Sequence, residues 1–328
     1  MADMELAVSI HPYIHSPLSK SSIFLTRALA LLPVILISVY NYGIMAMLTI
    51  FTAILFVLLP TYFELKKRGR RFADIGYENY YYAFLYALLL PAGVPLYIAI
   101  LGAIIVYLLT FFPPSGNIFR IFNPVSVSIA FLTISFGNKM LYFNYPRPFM
   151  SKQWFFPFPI DEYSNCFTFK NATAVSDATS AGLQNLIKLL AGWYPGHYCE
   201  TSIIVILIVA FSLYLKKSVD AVSIVGSFSG LFLAVCVFTF SRGFWGVVSE
   251  FVYHAFGSLF LFYSCFVLTD YYSSPERRFS RYIYGAFFGS TAYMLGVYGN
   301  GMDMTNYALL ISSSLVPALD EITSRRRS

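Results

Sequence analysis

The sequence predicts an all-α membrane protein, a polytopic bundle of about ten transmembrane helices with both termini in the cytoplasm. Its composition is the first reason: of 328 residues, 58% are hydrophobic and only 12% are charged, whereas soluble domains average about 45–50% apolar and about 25% charged residues. Apolar stretches also recur along nearly the whole chain, and the basic residues cluster in alternate connecting segments. A chain of this kind cannot bury its apolar surface in water, so a bilayer is its predicted solvent.

Apolar stretches define the predicted helices. A helix needs about 17–25 residues to cross a hydrocarbon core of roughly 30 Å, and the lengths of these stretches approach or reach that number. They span residues 23–41, 43–63, 78–92, 96–112, 122–137, 200–215, 219–239, 250–269, 282–298 and 304–320. The third and fifth are short, which predicts helices that are tilted, broken or longer than the stretch itself. Because backbone groups in lipid must be satisfied internally, all of these runs are predicted to be helices in one bundle.

The predicted organisation has three parts: a cytoplasmic segment 1–22, a membrane domain 23–321 with an outer loop at 138–199, and a basic cytoplasmic tail 322–328. Lys and Arg accumulate in cytoplasmic loops. If the N terminus is inside, every compact basic cluster lies on the inner side, at residues 66–71, 216–217, 277–281 and 325–327. We therefore interpret the net charge of +6 as a topology signal and not as a nucleic-acid-binding surface. The predicted location is the inner (cytoplasmic) membrane.

Acidic residues near predicted helix ends are candidate functional residues, because carboxylates at membrane depth are costly. Glu200 opens the sixth stretch on the predicted outer side, whereas Asp270 and Asp320 close the eighth and tenth on the inner side. For Asp320 we favour a helix end that reaches water, and for Glu200 and Asp270 both a functional and a structural role stay open. His254, in the eighth stretch, is interpreted as a buried polar residue in preference to a proton relay.

Other residue patterns give weaker expectations. Tyrosines just before the third stretch are predicted to form an interfacial aromatic belt; they are Tyr77, Tyr80, Tyr81 and Tyr82. The four cysteines lack C-x-x-C spacing, so no metal or cluster site is predicted. Cys166 and Cys199 lie in the outer stretch and could form a disulfide in an oxidising compartment.

The outer loop ends in a predicted amphipathic helix that carries a candidate modification site. Ser176 or Asp177 is a good N-cap, and Thr179 then falls in the first turn. Apolar residues share one face of this helix at Leu183, Leu186, Ile187 and Leu190. The simplest interpretation is a capped helix lying on the membrane surface. Its free N–H groups and dipole would also suit a phosphate group in the first turn.

Several sequence blocks resemble the Rnf/Nqr family of membrane electron-transport subunits, and they occur in that family's order. The window from Thr173 to Thr179 resembles its flavin-attachment motif D-x-x-[ST]-G-A-T: Ser176, Ala178 and Thr179 match, whereas Thr173 and Asp177 replace the acidic residue and the glycine. The other blocks are Phe122-Asn123-Pro124-Val125, Cys199-Glu200-Thr201-Ser202, Phe266-Val267-Leu268-Thr269-Asp270, Arg281-Tyr282-Ile283-Tyr284-Gly285, and the tail from Tyr307 to Asp320.

The resemblance implies a D-type membrane subunit of an Rnf-like complex, which passes electrons between ferredoxin and NAD and moves Na⁺ or H⁺. It implies FMN esterified through its phosphate to Thr179 by a flavin transferase, with Ser176 and Ala178 in the recognised motif. Glu200, Thr269 and Asp270 are further candidate cofactor-binding residues, and a second, non-covalent flavin is a further expectation.

The implied partners are the other membrane and cytoplasmic subunits of the complex and the flavin transferase. No catalytic or metal-binding residue is assigned, because the redox chemistry belongs to the flavin. Two alternatives stay open. One is a secondary solute carrier that works alone. The other is an apo scaffold subunit of the same complex that lacks flavin, and the departures from the motif at Thr173 and Asp177 favour it.

Overall fold

The structure is a computed structural model that describes residues 19–71, 74–111, 121–140, 142–143, 146, 149, 164–165, 192, 196–200, 202–257, 259–299 and 304–325. Within these residues the fold is helical, apart from one antiparallel pair of two-residue strands, β1 (Tyr142–Phe143) and β2 (Ser164–Asn165). The all-α class is therefore confirmed.

Each of the apolar stretches contains helix. The first half of the chain forms α1 (Lys20–Tyr42), α2 (Ile44–Lys67), α3 (Tyr77–Leu89), α4 (Leu96–Phe111), α5 (Pro124–Ser135) and a short α6 (Gly137–Met140). The second half forms α7 (Ile203–Leu215), α8 (Ala221–Thr239), α9 (Gly243–Phe256), α10 (Phe260–Phe262) with a π-helical turn (Tyr263–Val267), α11 (Arg278–Tyr298), α12 (Thr305–Ser314) and α13 (Val316–Arg325). The eighth and tenth stretches are each divided into two helical pieces.

Length and composition make this a multi-pass membrane protein. Among the described residues, α1, α2 and α8 are long and apolar enough to cross a membrane, and α9 with the Phe260–Val267 segment gives a fourth if that bent pair is one span. Three shorter helices, α4, α5 and α7, are also apolar. The number of spans and the side on which the termini lie stay predictions.

Polar caps explain where several helices begin. The Asn123 side-chain oxygen accepts a hydrogen bond from the Val125 N–H at 2.9 Å, and Pro124 occupies the first helical position of α5. The block Phe122-Asn123-Pro124 is thus a helix start with a physical reason. Asp220 caps α8 in the same way, accepting from the Ser223 N–H at 3.2 Å.

Two short helical segments, α3 and Phe260–Val267, form the centre of the bundle. Helix α3 packs against α1, α2, α4 and α5, and the side chains of Tyr81 and Tyr82 are fully buried. The Tyr81 hydroxyl donates to the Phe266 carbonyl oxygen at 2.7 Å and so joins the two segments. The prediction that these two tyrosines belong to an interfacial belt is wrong, because four helices surround them; Tyr77, at the start of α3, is exposed.

Helices α8 and α11 pack with their backbones in contact at glycines spaced four residues apart. A Cβ atom placed on Gly230 would lie 1.9 Å from the Ala286 carbonyl oxygen, and one on Gly289 would lie 1.9 Å from the Ser227 carbonyl oxygen. In membranes, where apolar burial gives little drive for helix association, small residues permit close van der Waals packing. This contact fixes α11 against α8.

The bundle has two ends, which we call lower and upper. The lower end contains the start of α1 and the segments after α7 and after the π-helical turn, because Arg27 donates to the carbonyl oxygens of Ser218 and Thr269. The upper end contains the last turn of α1 and a 3-10 turn at Tyr198–Glu200, where the rings of Tyr42 and Tyr198 are 5.6 Å apart. The segments after α7 and after the π-helical turn, both predicted to be inner, share the lower end.

Candidate functional sites

The lower cluster consists of Arg27, Tyr81, Tyr82, Thr269 and Asp270, all buried at the lower end. The carboxylate of Asp270 is 1% exposed and accepts from the Tyr82 hydroxyl at 3.1 and 3.2 Å through its two oxygens. The Thr269 hydroxyl donates to the Cys265 carbonyl oxygen at 2.8 Å. Thr269 and Asp270, both predicted from sequence, therefore lie inside the protein and not at its surface.

Arg27 brings a buried positive charge into this cluster. Its Nε and Nη2 donate to the Ser218 carbonyl oxygen at 2.9 and 2.6 Å, and Nη2 also donates to the Thr269 carbonyl oxygen at 2.8 Å. Its guanidinium carbon lies 5.9 Å from the centre of the Tyr81 ring. The third nitrogen, Nη1, is buried and has no hydrogen-bond partner within the described part of the chain. The two N–H groups of this nitrogen are thus available to a further group.

The sequence pattern did not lead to Arg27, although a signal was present. It is the single charged residue within the apolar stretch 23–41, and an ionisable residue inside a membrane segment is a functional candidate by default.

The position of Asp270 follows from the π-helical turn Tyr263–Val267. The N–H of Leu268 donates to the carbonyl oxygen of Tyr263, five residues earlier, at 2.8 Å. The extra residue in such a turn offsets the side chains that follow it from a regular α-helix, and π turns are frequent at functional sites. Thr269 and Asp270 come directly after this offset.

The start of α5 holds further buried polar atoms. Asn123 Nδ2 and Ser126 Oγ are buried and have no hydrogen-bond partner among the described residues. Next to them, the side chain of Asn306 donates to the Ser126 carbonyl oxygen at 3.0 Å and accepts from the Tyr263 hydroxyl at 2.8 Å. Because unpaired buried polar atoms are rare in proteins, these atoms are candidates for contact with a bound group.

The upper cluster is built around Glu200. Its carboxylate accepts from the His197 N–H at 2.7 Å and lies 3.3 Å from His197 Nδ1. A Cβ atom on Gly196 would lie 2.3 Å from Glu200 Oε2, so the carboxylate folds tightly over this turn. Helix α7 begins only at Ile203, after Ser202. Glu200 therefore closes the 3-10 turn before the helix, and the prediction that it opens the sixth helix is wrong.

The outer loop is anchored at the upper end. Phe149 of the loop stacks on Tyr40 of α1, with ring centroids 4.8 Å apart. Near the two ends of the loop, the rings of Phe143 and His197 lie 4.8 Å apart, which holds these ends together. The predicted attachment residues Ser176, Ala178 and Thr179 lie outside the described residues. Cys199 is buried, and its suggested disulfide partner Cys166 lies outside the described residues.

The predicted site residues that the structure describes do not form one site, because Glu200 lies at the upper end and Thr269 and Asp270 lie at the lower end. Helix α1 contacts both ends of the bundle and so measures their separation. Arg27 belongs to the lower cluster, and the Ser38 hydroxyl donates to the Tyr198 carbonyl oxygen at the upper end. These two residues are about 16 Å apart along α1. Asp320 lies within α13, where it accepts from the Glu276 N–H at 3.3 Å. In the part of the chain that the structure describes, no group of three or more His, Cys, Asp or Glu could hold a metal ion.

Apolar helices that enclose buried charges at both ends define a multi-pass membrane protein with candidate functional residues inside its helix bundle. A model of the NQR2, RnfD, RnfE family matches residues 7–328, and the chain belongs to that family. The resemblance found in the sequence blocks is therefore confirmed.

Similar proteins align with this chain over nearly their whole length, and each is the D component of an oxidoreductase complex. The chain is 23% identical over 340 residues to the D subunit of the proton-translocating ferredoxin:NAD(+) oxidoreductase complex of Clostridium ljungdahlii, covering 96% of this chain and 94% of that protein. It is 24% identical over 347 residues to the D subunit of the ion-translocating oxidoreductase complex of Aliivibrio salmonicida, covering 98% of each. The corresponding protein of Haemophilus ducreyi is 23% identical over 341 residues, covering 96% of each.

Proposed function

We propose that this chain is the D-type membrane subunit of an ion-translocating complex that exchanges electrons between ferredoxin and NAD. The observation that carries the proposal is the match to the family over residues 7–328. The alignments also cover at least 94% of the length of relatives that are named as the D component of such complexes. The relatives' names favour this role over a solute carrier that works alone. The buried charges of the lower cluster suit a protein in which charge moves through the membrane domain.

Within this role, we propose that FMN is attached through its phosphate to Thr179. Support comes from the matching Ser176, Ala178 and Thr179, and from a predicted helix start, where a phosphate meets free N–H groups. The loop that carries Thr179 is anchored at the upper end by the contact of Phe149 with Tyr40 of α1. The flavin would then sit at that end and exchange electrons with a partner, while the protein supplies its position.

A second, non-covalent flavin is part of the same proposal. Three buried atoms without hydrogen-bond partners among the described residues, Asn123 Nδ2, Ser126 Oγ and Arg27 Nη1, are the groups that could hold it. Thr269 and Asp270 adjoin Arg27 at the lower end, whereas Glu200 lies at the end to which the outer loop is anchored.

Membership of a complex predicts what accompanies the chain on purification. A tag on this chain, extracted from its native membrane in mild detergent, is expected to recover several other membrane subunits and a cytoplasmic subunit bearing iron–sulfur clusters. The measurement is mass spectrometry of the purified band on a native gel. A tagged, unrelated multi-pass protein of the same membrane serves as control. Recovery of this chain alone, with solute transport activity after reconstitution, would contradict the proposal.

The proposed orientation places both termini and the lower end in the cytoplasm, with the protein in the inner membrane. Single cysteines introduced near Lys67 and Arg326 are expected to react with a membrane-impermeant thiol reagent only after the membrane is opened, because basic loops stay inside. A cysteine near Lys170 should react in intact cells. A reversed pattern at any of these positions would show that the orientation or the number of spans is wrong.

A further inference from the structure

A dense group of positive charges lies directly after α2. Helix α2 starts beside Tyr42 at the upper end, so its last turn lies at the lower end. Residues 66–71 have the sequence Lys-Lys-Arg-Gly-Arg-Arg, and all of them are exposed. Arg68 is paired, because its Nη2 lies 3.3 Å from Glu64 Oε1, one helical turn earlier. The side chains of the other cations have no ion-pair or hydrogen-bond partner in the described part of the chain. We call them the α2 basic cluster: Lys66, Lys67, Arg70 and Arg71.

The backbone turns back at the end of α2 and keeps these cations together. The Gly69 N–H donates to the Lys66 carbonyl oxygen at 3.0 Å, and the Arg70 N–H donates to the Leu65 carbonyl oxygen at 2.9 Å. This is the Schellman arrangement, in which a residue in the left-handed region ends the helix, and Gly69 has a φ of +70°. The turn therefore holds Arg70 beside the last turn of α2, which contains Lys66 and Lys67.

The acidic side chains that are nearest to the cluster in sequence each have a partner of their own. Glu64 is paired with Arg68, as described above. The carboxylate of Asp74 accepts from the Arg71 N–H at 2.8 Å. That of Glu78 accepts, also at 2.8 Å, from a tyrosine hydroxyl of the segment after the π-helical turn. The end of α2 therefore carries an excess of positive charge.

An exposed apolar ridge leads along α2 to this cluster. Its side chains follow one another at intervals of four residues and are 37–59% exposed; they are Met47, Phe51, Leu55, Leu59 and Phe63. Lys67 is the next residue in this series. The opposite face of α2 packs on α3 and α4. From Leu55 to Phe63 the ridge is about 12 Å long, which is close to half of the roughly 30 Å thickness of a hydrocarbon core. One leaflet's depth of apolar surface thus ends at a cationic group.

We propose that the end of α2 binds an anionic phospholipid, with the headgroup phosphate on the α2 basic cluster and an acyl chain along the ridge. Lys and Arg form charge-assisted hydrogen bonds with phosphate oxygens, and groups of roughly four to eight such residues next to a membrane helix attract anionic lipids. This inference goes beyond the proposed function, since it requires neither flavin nor partner subunits.

A phospholipid accounts for both parts of this surface. Lys66 and Lys67 lie in the last turn of α2, where a cation also suits the helix dipole. Arg70 and Arg71 lie beyond the helix, so the dipole does not explain them. A soluble acidic protein would contact the cations but not the ridge, whereas a phospholipid of the lower leaflet contacts both.

The test is native mass spectrometry of the full-length chain in detergent, with lipids of identical acyl chains added. Dioleoylphosphatidylglycerol is the anionic probe and dioleoylphosphatidylcholine the zwitterionic one. Wild type is expected to bind the first phosphatidylglycerol at least about tenfold more tightly than phosphatidylcholine, because several cations at a membrane surface attract an anionic headgroup together. The double variant Lys66→Gln, Lys67→Gln is expected to lose most of this preference, since two of the four cations are removed.

The matched control is the double variant Lys216→Gln, Lys217→Gln. These lysines are also consecutive and exposed, and they follow α7 at the lower end, so the change in charge is the same. This variant is expected to keep the preference for phosphatidylglycerol. An unchanged elution volume in size-exclusion chromatography checks that both variants are folded.

Three results would overturn the proposal. The first, which needs no variant, is equal binding of the two lipids by wild type. The second is an equal loss of preference in the two double variants, because the attraction would then be general to the lower end. The third is a Lys66→Gln, Lys67→Gln variant that keeps its lipid preference but loses a cytoplasmic subunit when the complex is purified, which would show that a protein covers this surface.

Discussion

Thr179→Val is expected to remove the entire covalent flavin from the protein. The threonine hydroxyl oxygen would form the ester bond to the FMN phosphate, and valine has nearly the same shape but no oxygen to form it. The measurement is the intact mass of the chain produced together with its own flavin transferase, combined with flavin fluorescence in a denaturing gel. Wild type is expected to show an FMN-sized increase in mass and a fluorescent band, and the variant is expected to show neither.

Thr173→Val is the matched control, because Thr173 lies in the same window but takes the place of the family's acidic residue. It is expected to keep the added mass. Flavin that stays in the supernatant after denaturation would measure the second, non-covalent flavin in the same sample. If wild type is unmodified, the apo scaffold interpretation replaces the flavin proposal; if Thr179→Val still carries the addition, another residue is the attachment site.

Gly289→Leu is expected to prevent the membrane domain from assembling. Even a Cβ atom at this position would lie 1.9 Å from the Ser227 carbonyl oxygen and 2.7 Å from the Leu231 nitrogen, and backbone atoms of a packed helix cannot move aside as a side chain can. Overpacking of a core costs about 1–3 kcal/mol, occasionally more, and here a whole helix pair would have to separate. The measurement is the fraction of monodisperse protein in detergent by fluorescence-detected size-exclusion chromatography.

Gly137→Leu provides the control, since a Cβ atom on Gly137 would meet no atom within 4 Å. It is expected to behave like wild type in the same assay. Gly289→Ala should fall between the two, because it adds the clashing atom and nothing else. Equal stability of Gly289→Ala and Gly137→Ala would show that α8 and α11 are not in backbone contact.

The sequence by itself determined the helical class and the approximate place of each helix, because apolar runs of this length have one way to satisfy their backbone in lipid. It also placed the fifth stretch from residue 122, two residues before α5 begins at Pro124, where the Asn123 side chain caps the helix. It did not locate the break within the eighth stretch or the π-helical turn, because neither leaves a gap in the apolar pattern.

Only the tertiary structure decided which polar residues meet. Arg27 and Thr269 are 242 residues apart in sequence, and Tyr82 and Asp270 are 188 apart, so no local pattern could pair them. Tyrosine at a helix start is as typical of a membrane interface as of a core, and packing by four helices decided that Tyr82 is buried. The i,i+4 spacing of Glu250 and His254 was visible in the sequence, but whether the pair faced lipid or protein depended on how α9 packs beside α8 and α11.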